Sequence, residues 1–320
     1  MSRLDFVVRR AAFAAVTAVV VLTAVFLLVA VPENPNVSLV KFYAAMAGED
    51  PEAAAAAYRA SHNLDKSLWW RYTHWMRNVV TLRFGRSQSM GAPVSDIIVR
   101  RAPYTLGYVV PAVALSVVGG VTAGVASALR RGDVSDRAGA VVAYLGYGVP
   151  NFYLASVLLL LVGTAFGWDG TGFDTEAGVL TAKNARRYVL PTAVLATTLA
   201  ASQLRYARSL SADVLGEEFV RLVRAKGAPP GRVARHVVRN AAVPLVTLTF
   251  ADLLGVLVLN VYVLEFVFDI PGLGAVSLAA VRDRDVPLVL GTTTLVILVG
   301  VVGNLLQDVA YAALDPRVDE

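Results

Sequence analysis

Apolar residues gather in six long runs, at about 8–31, 104–129, 138–166, 188–208, 241–266 and 286–311, with charged residues concentrated between them. A helix rises 1.5 Å per residue, so each run is long enough to cross a hydrocarbon layer of roughly 30 Å. No stretch alternates with the period of two that a membrane barrel needs. Lipid offers the backbone no hydrogen-bond partners, so helices are the expected form of every crossing. The pattern predicts an all-α membrane protein with six transmembrane helices. The first run, Ala11 to Val31, is longer than the core of a secretory signal and no small-x-small cleavage site follows it. It is expected to be a retained helix.

The polar stretches carry their own elements. In the outer segment, 32–103, the string EDPEAAAAAYRA predicts a helix opening at Asp50–Pro51. The string SLWWRYTHWMRNVVTLRF sets Trp69, Trp70, Tyr72 and Trp75 on an amphipathic helix suited to the headgroup level. Pro191, Pro244 and Pro287 are expected in the first turns of spans, where a missing N–H costs nothing. Gly120-x-x-x-Gly124 provides a small-residue face for close helix packing. Arg3, Arg9, Arg10, the loop 130–137 and a basic stretch around 221–240 place those segments in the cytoplasm, with both chain ends. Arg100 and Arg101, expected just ahead of the second span, and KNARR at 183–187 run against that bias.

Composition sharpens this picture. The 320 residues are 56% hydrophobic and 17% charged, with a net charge of +5, a balance that points to lipid rather than a soluble domain. The basic residues sit between apolar runs and serve as a topology signal, so no nucleic-acid partner is expected. Cysteine is absent, which excludes disulfides and thiolate chemistry. There is no Gly-Lys dipeptide, hence no P-loop lysine, and neither H-E-x-x-H nor G-x-S-x-G occurs. His62, His74 and His236 lie far apart in the expected topology, so no metal site and no catalytic residues are expected. Asp252, near the middle of the fifth run, admits two readings: a residue of a translocation path, or a helix–helix hydrogen bond. Asn260, Asn304, Gln203 and Asp308 admit the same two.

One polar stretch, 209–240, has internal order. GEEFVRLVRAKG opens with Glu217 and Glu218 and closes with Arg224 and Lys226, which suits a helix dipole at both ends. Gly227 stands where a left-handed terminal residue is wanted. Phe219, Leu222 and Val223 form an apolar ridge. PPGRVARHVVRN then predicts a second helix started by Pro229 and Pro230, with Arg232, Arg235, His236 and Arg239 on one side. Such a hairpin suits either anionic headgroups or a cytoplasmic partner. The fixed order of capped helix, turn and helix favours the partner.

The string GEEFVRLVRAKGAPPGRVARHVVRNAAVPLVT resembles the cytoplasmic EAA-type loop of ATP-binding-cassette importer permeases, in the dipeptide and oligopeptide B-type variant. Arg221, Leu222 and Val223 stand in place of the glutamate-alanine-alanine start, and Gly227 is the motif glycine. LDKSLWWRYTHWMRNVVTLRFGRS, LGYGVPNFYLA, EFVFDIPGLG, DVPLVLG and NLLQDVAYAALDPRV resemble other parts of the same family. Residues 32–60 and the loop 167–187 depart from it. The resemblance implies that 1–320 is a single transmembrane domain that pairs with a second permease, two cytoplasmic ATPases and an extracellular substrate-binding protein. ATP and Mg would be bound by the ATPases, with no cofactor in this chain. Phe219, Arg221, Leu222, Val223, Arg224, Ala225, Lys226 and Gly227 would form the ATPase-coupling loop, and Asp252 and Asn260 the candidate path. The alternative is a stand-alone secondary transporter or channel, in which helices broken mid-membrane would mark the site.

Overall fold

The computed structural model describes residues 3–168 and 170–314. In chain order the helices are α1 (Arg3–Ala30), α2 (Pro35–Met46), α3 (Pro51–Ser61), α4 (Leu68–Val80), α5 (Val94–Leu129), α6 (Val134–Gly148) and α7 (Asn151–Phe166). They continue with α8 (Ala182–Arg187), α9 (Val189–Gly216), α10 (Glu218–Ala225), α11 (Pro230–Val267), α12 (Leu273–Arg282) and α13 (Val286–Leu314). Among the described residues the only extended pairing is an isolated bridge between Arg86 and Pro93. The chain divides into two compact units: Ala102–Ala275 with the chain's two ends, up to Ala12 and from Val302, and Phe13–Arg101 with Val276–Val301.

In the unit built on Ala102–Ala275, α9 is the central helix. It packs against α6, α7, α10 and α11. Its buried residues include Leu195, Leu199, Ser202, Gln203 and Ser211. One face, at Ala193, Thr197, Arg205, Ser209 and Asp213, is exposed, and the small and polar side chains named above lie on the buried side. The Gly120/Gly124 face lies against it as expected: a Cβ on Gly120 would stand 2.6 Å from Gln203 Cβ, and one on Gly124 2.6 Å from the carbonyl oxygen of Leu204. Two glycines let α5 and α9 approach backbone to backbone. Tyr108, Leu195, Leu199, Leu264, Phe268 and Ile270 are fully buried in the largest apolar cluster of this unit.

In the other unit, the aromatic segment is a helix, α4, that turns one side to α1. Tyr72 and Trp75 meet the Phe26 ring at 5.4 and 5.3 Å, and Tyr72 shares a 2.8 Å hydrogen bond with Thr23. Trp69 and Trp70 stay exposed. α3 starts at Asp50–Pro51 as expected, with the Asp50 carboxylate accepting from the Glu52 N–H at 2.9 Å. The sequence reading passed over α2, whose start is set by Asn34 as N-cap and Pro35 at the first position. Asp285 is fully buried. It accepts from Ser87 Oγ (2.5 Å), Ser89 N (2.9 Å), Ser89 Oγ (2.8 Å) and Leu288 N (3.1 Å), so it caps α13 and pins 87–89 at once. Burial pushes its carboxyl up, but these donors outweigh burial and the net shift is downward.

Four expectations need correction. The run 138–166 is two helices, α6 and α7, bent by 101° at Val149–Pro150. Proline removes an N–H and disfavours helix in the residue before it. Pro244 lies inside α11 rather than in a first turn. The basic second helix and the fifth apolar run are one continuous 38-residue helix, with nothing around Asn240 to stop it. Arg100 and Arg101 lie within α5, which starts at Val94, ahead of the expected 104. Among the described residues, three helical stretches are long and apolar enough to cross a membrane, or four if the bent α6–α7 pair counts as one. They are Asp5–Met46, Val94–Leu129 and Val286–Ala312. The protein is thus all-helical with several apolar membrane-type helices.

Candidate functional site

The ordered basic stretch folds as a short helix held at its base. Glu217 is extended, closing α9 and opening α10 in a single residue. α10 ends at Ala225, with Lys226 as C-cap and Gly227 at φ +73°. The Gly227 N–H donates to the Arg224 carbonyl at 2.9 Å and the Ala228 N–H to the Val223 carbonyl at 3.4 Å. That pair of bonds is the Schellman ending, which needs a left-handed residue at this position. A Cβ there would meet nothing within 4 Å, so the backbone angle alone calls for glycine.

The apolar ridge is divided. Phe219 and Leu222 are 39% and 57% exposed, whereas Val220 is 1% exposed. Val220 packs with Val233 and Val237 of α11, and Val223 lies half-buried against the same cluster. Burying three valines is worth about 1.5 kcal/mol each, as an upper figure. This is enough to mount an eight-residue helix that would not persist alone. Arg221, Arg224, Ala225, Lys226 and Gly227 are all exposed. The sequence reading missed Val220 because it traced the ridge along α10 alone. The anchor becomes visible only when the i, i+4 pair Val233/Val237 is matched to it across the turn.

A second fixture lies at the end of α9 that leads into α10. Arg208 donates to Asp136 through Nε (2.6 Å) and Nη2 (2.9 Å). Ser127 and the Gly132 N–H donate to the same carboxylate, the latter at 3.0 Å. These bonds, Arg208's first, hold the Asp136 carboxyl well below the usual carboxylate range against the effect of burial. They tie the 130–137 loop to α9.

Farther along α9 runs a polar seam. Asn151, the first residue after the Pro150 break, donates to Asn260 and accepts from Thr198. Thr249 donates to the fully buried Gln203 at 2.6 Å. Asn260, singled out from sequence, therefore sits with polar partners from α7 and α9. The Asp252 side chain lies outside the described residues. Past the seam, Glu265 is fully buried and accepts from Thr105 Oγ1 (2.6 Å), Tyr108 OH (3.5 Å) and the Ala275 N–H (2.9 Å). The Leu273 N–H donates to Thr105 Oγ1 at 2.9 Å. In EFVFDIPGLG the acid thus clamps the turn that follows α11. Gly274 is needed because a Cβ there would stand 2.9 Å from Tyr262 Cα. Asn304 is exposed and Asp308 pairs with Arg10 at 3.6 Å. His62 and His74 stack on Tyr58 and Trp70, and no metal-binding group of three side chains exists among the described residues.

The profile of the binding-protein-dependent transport system inner membrane component family matches residues 120–320. That range holds the break at Pro150, the seam, α10 and the Glu265 turn. The chain is 32% identical over 279 residues to the oligopeptide transport system permease protein AppB of Bacillus subtilis (strain 168), covering 84% of this chain and 87% of that one. It is 32% identical over 273 residues to the dipeptide transport system permease protein DppB of the same organism, covering 83% and 84%. With the glutathione transport system permease protein GsiC of Escherichia coli (strain K12) the identity is 33% over 276 residues, covering 84% and 86%. The chain belongs to the family of binding-protein-dependent transport system inner membrane components, and is a permease subunit of an ATP-binding-cassette importer.

Proposed function

We propose that this permease forms, with a second related permease, the path by which peptides or similar small solutes cross the cell membrane. Power comes from ATP hydrolysis, with ATP and Mg bound on two separate cytoplasmic ATPases and no cofactor held in this chain. An extracellular binding protein delivers the solute. Six crossings, made by α1, α5, the α6–α7 pair, α9, α11 and α13, leave both chain ends in the cytoplasm. The substrate class rests on the relatives named for oligopeptides, dipeptides and glutathione.

The observation that carries the coupling role is the mounting of α10. Val220 fixes the helix to α11 while Phe219 and Leu222 are left to water, which suits a helix that seats in a cleft of an ATPase. Arg221, Arg224 and Lys226 flank that apolar pair, and Ala225 keeps the end of the helix narrow. Closure of the ATPases on ATP then moves α10, and through Gly227 and Val220 the motion enters α11. Asn260, with Asp252 on the same helix, is the candidate lining of the path.

The test is purification of the tagged permease from its native membrane in mild detergent, with assay of co-purifying ATPase subunits. Leu222→Asp together with Phe219→Asp is expected to lose the ATPase while the permease stays folded and inserted. An ATPase that remains at wild-type yield overturns the assignment. A stand-alone carrier finds one favourable observation, the helix break beside Asn151 and Asn260. Pro150 alone accounts for that break, and the family match supports the importer. Ion-driven flux from the isolated chain would reverse this order.

A further inference from the structure

At the end of α9 that carries the coupling arm, the ends of α5 and α9 enclose a cavity of about 280 Å³ lined by Ala128, Arg131, Arg205, Arg208, Ser209 and Asp213, among others. Its charges do not balance within the protein. Arg208 is neutralised by Asp136. Among the described residues Arg131 makes no ion pair, and Arg205 reaches only Tyr206 OH, at 3.5 Å, with its guanidinium over the rings of Tyr147 (5.0 Å) and Tyr206 (5.1 Å). Asp213, on the wall, likewise makes no ion pair among the described residues. Two unpaired guanidiniums against one carboxylate leave a single positive charge. A ligand with one negative charge would bring the site to neutrality.

The same two arginines, Arg205 and Arg208, also border a second hollow, an apolar one of about 70 Å³ between α6 and α9, lined by Ala140, Ala143, Tyr144, Tyr147, Ala201 and Leu204. A cationic cup therefore adjoins an apolar groove. Arg131 stands two residues past the apolar run 104–129, and Arg205 and Arg208 close the run 188–208, so the cup lies at the level where lipid headgroups meet water. We propose that this cup and groove bind one anionic phospholipid, its phosphodiester on Arg131 and Arg205 and the start of its acyl region along Tyr144, Tyr147 and Leu204. A guanidinium fork matches two phosphate oxygens at once, and a phosphodiester carries the one charge that the cup lacks. Arg208 stands ten residues before Glu218, the first residue of α10, on the helix that leads into it, so an occupant braces the arm that bears the coupling helix.

The measurement uses the permease in nanodiscs of phosphatidylcholine containing one part in ten phosphatidylglycerol, with lipids retained after release counted by native mass spectrometry. Wild-type protein should retain phosphatidylglycerol in preference to phosphatidylcholine. Arg131→Gln and Arg205→Gln should each cut retention about fivefold, the effect of removing one basic residue near a charged surface. Arg131 lies on an exposed turn and has no partner among the described residues, so its variant is not expected to disturb folding. Asp213→Asn should increase retention, and Arg100→Gln, in the other unit, should leave it unchanged. Equal retention of the two lipids, or no effect of Arg131→Gln, overturns the proposal. Displacement by millimolar inorganic phosphate would assign the cup to a soluble anion instead. Retention by the isolated chain but not by the assembled importer would assign it to a carboxylate of the partner permease.

Discussion

Replacing Gly227 separates the backbone angle from everything else at the turn. The residue sits at φ +73° with no atom within 4 Å of a prospective Cβ, so a substitution meets no clash and only the left-handed conformation is penalised. Asparagine visits that region readily, and Gly227→Asn should behave almost as wild type. Alanine costs about 1 kcal/mol there and a β-branched valine about 2 kcal/mol, within the range for left-handed non-glycine residues. At 1.36 kcal/mol per factor of ten, those costs lower the population of the capped turn about fivefold and about thirtyfold. The assay is substrate-stimulated ATP hydrolysis of the importer in proteoliposomes, normalised to permease content. Coupled activity should fall in the order glycine, asparagine, alanine, valine, with unstimulated hydrolysis unaffected. Wild-type coupling in Gly227→Val at normal abundance would refute the reasoning. So would a Gly227→Asn variant as poor as the valine one, since that result would mean volume rather than angle matters.

Gly124→Leu should drive a side chain into the Leu204 carbonyl and Ala207, costing about 1–3 kcal/mol or more and lowering the melting temperature in detergent. Gly119→Leu, with nothing within 4 Å, should leave it unchanged. Because the Asp136 carboxyl is lowered in the folded state, its tie to Arg208 contributes fully above the ordinary aspartate value of about 3.9 and is lost as pH falls below it. Protease protection of the 130–137 loop should accordingly stay flat from about pH 7 to 5 and drop beneath pH 4, and Asp136→Asn should abolish that step. Asp285→Asn should cost about 2 kcal/mol by weakening hydrogen bonds to a buried charge, read as faster proteolysis between 84 and 93.

What the sequence disclosed followed from how local each signal was. The helix at Asp50–Pro51, the left-handed residue at Gly227 and the tight face at Gly120/Gly124 are each written in a few adjacent residues, and each appears where expected. The break at Pro150 was written there too, but a long apolar run masked it. Hydropathy counts residues without asking whether the backbone can continue. The ties that complete the site join distant positions: Arg208 to Asp136, Val220 to Val233, Glu265 to Thr105. Glu265 was unremarkable as a span-end acid until the turn at 272–275 folded back on it. Pro244 misled in the opposite direction. It looked like a start, yet the basic helix before it runs straight through, because the true first turn is at Pro229–Pro230.

That continuity gives α11 the properties of a lever. The helix is about 57 Å long at 1.5 Å per residue, with Val233 and Val237 gripping α10 near one end and Glu265 locked into a turn at the other. Ala241 and Leu245, on either side of Pro244, are buried against Ala207 of α9, so the helix is held there. The arms on either side measure about 21 and 35 Å. A displacement of about 2 Å at the α10 end, pivoting on Pro244, arrives at the Glu265 end as about 3 Å in the opposite direction. The unequal arms amplify the stroke and reverse its sense.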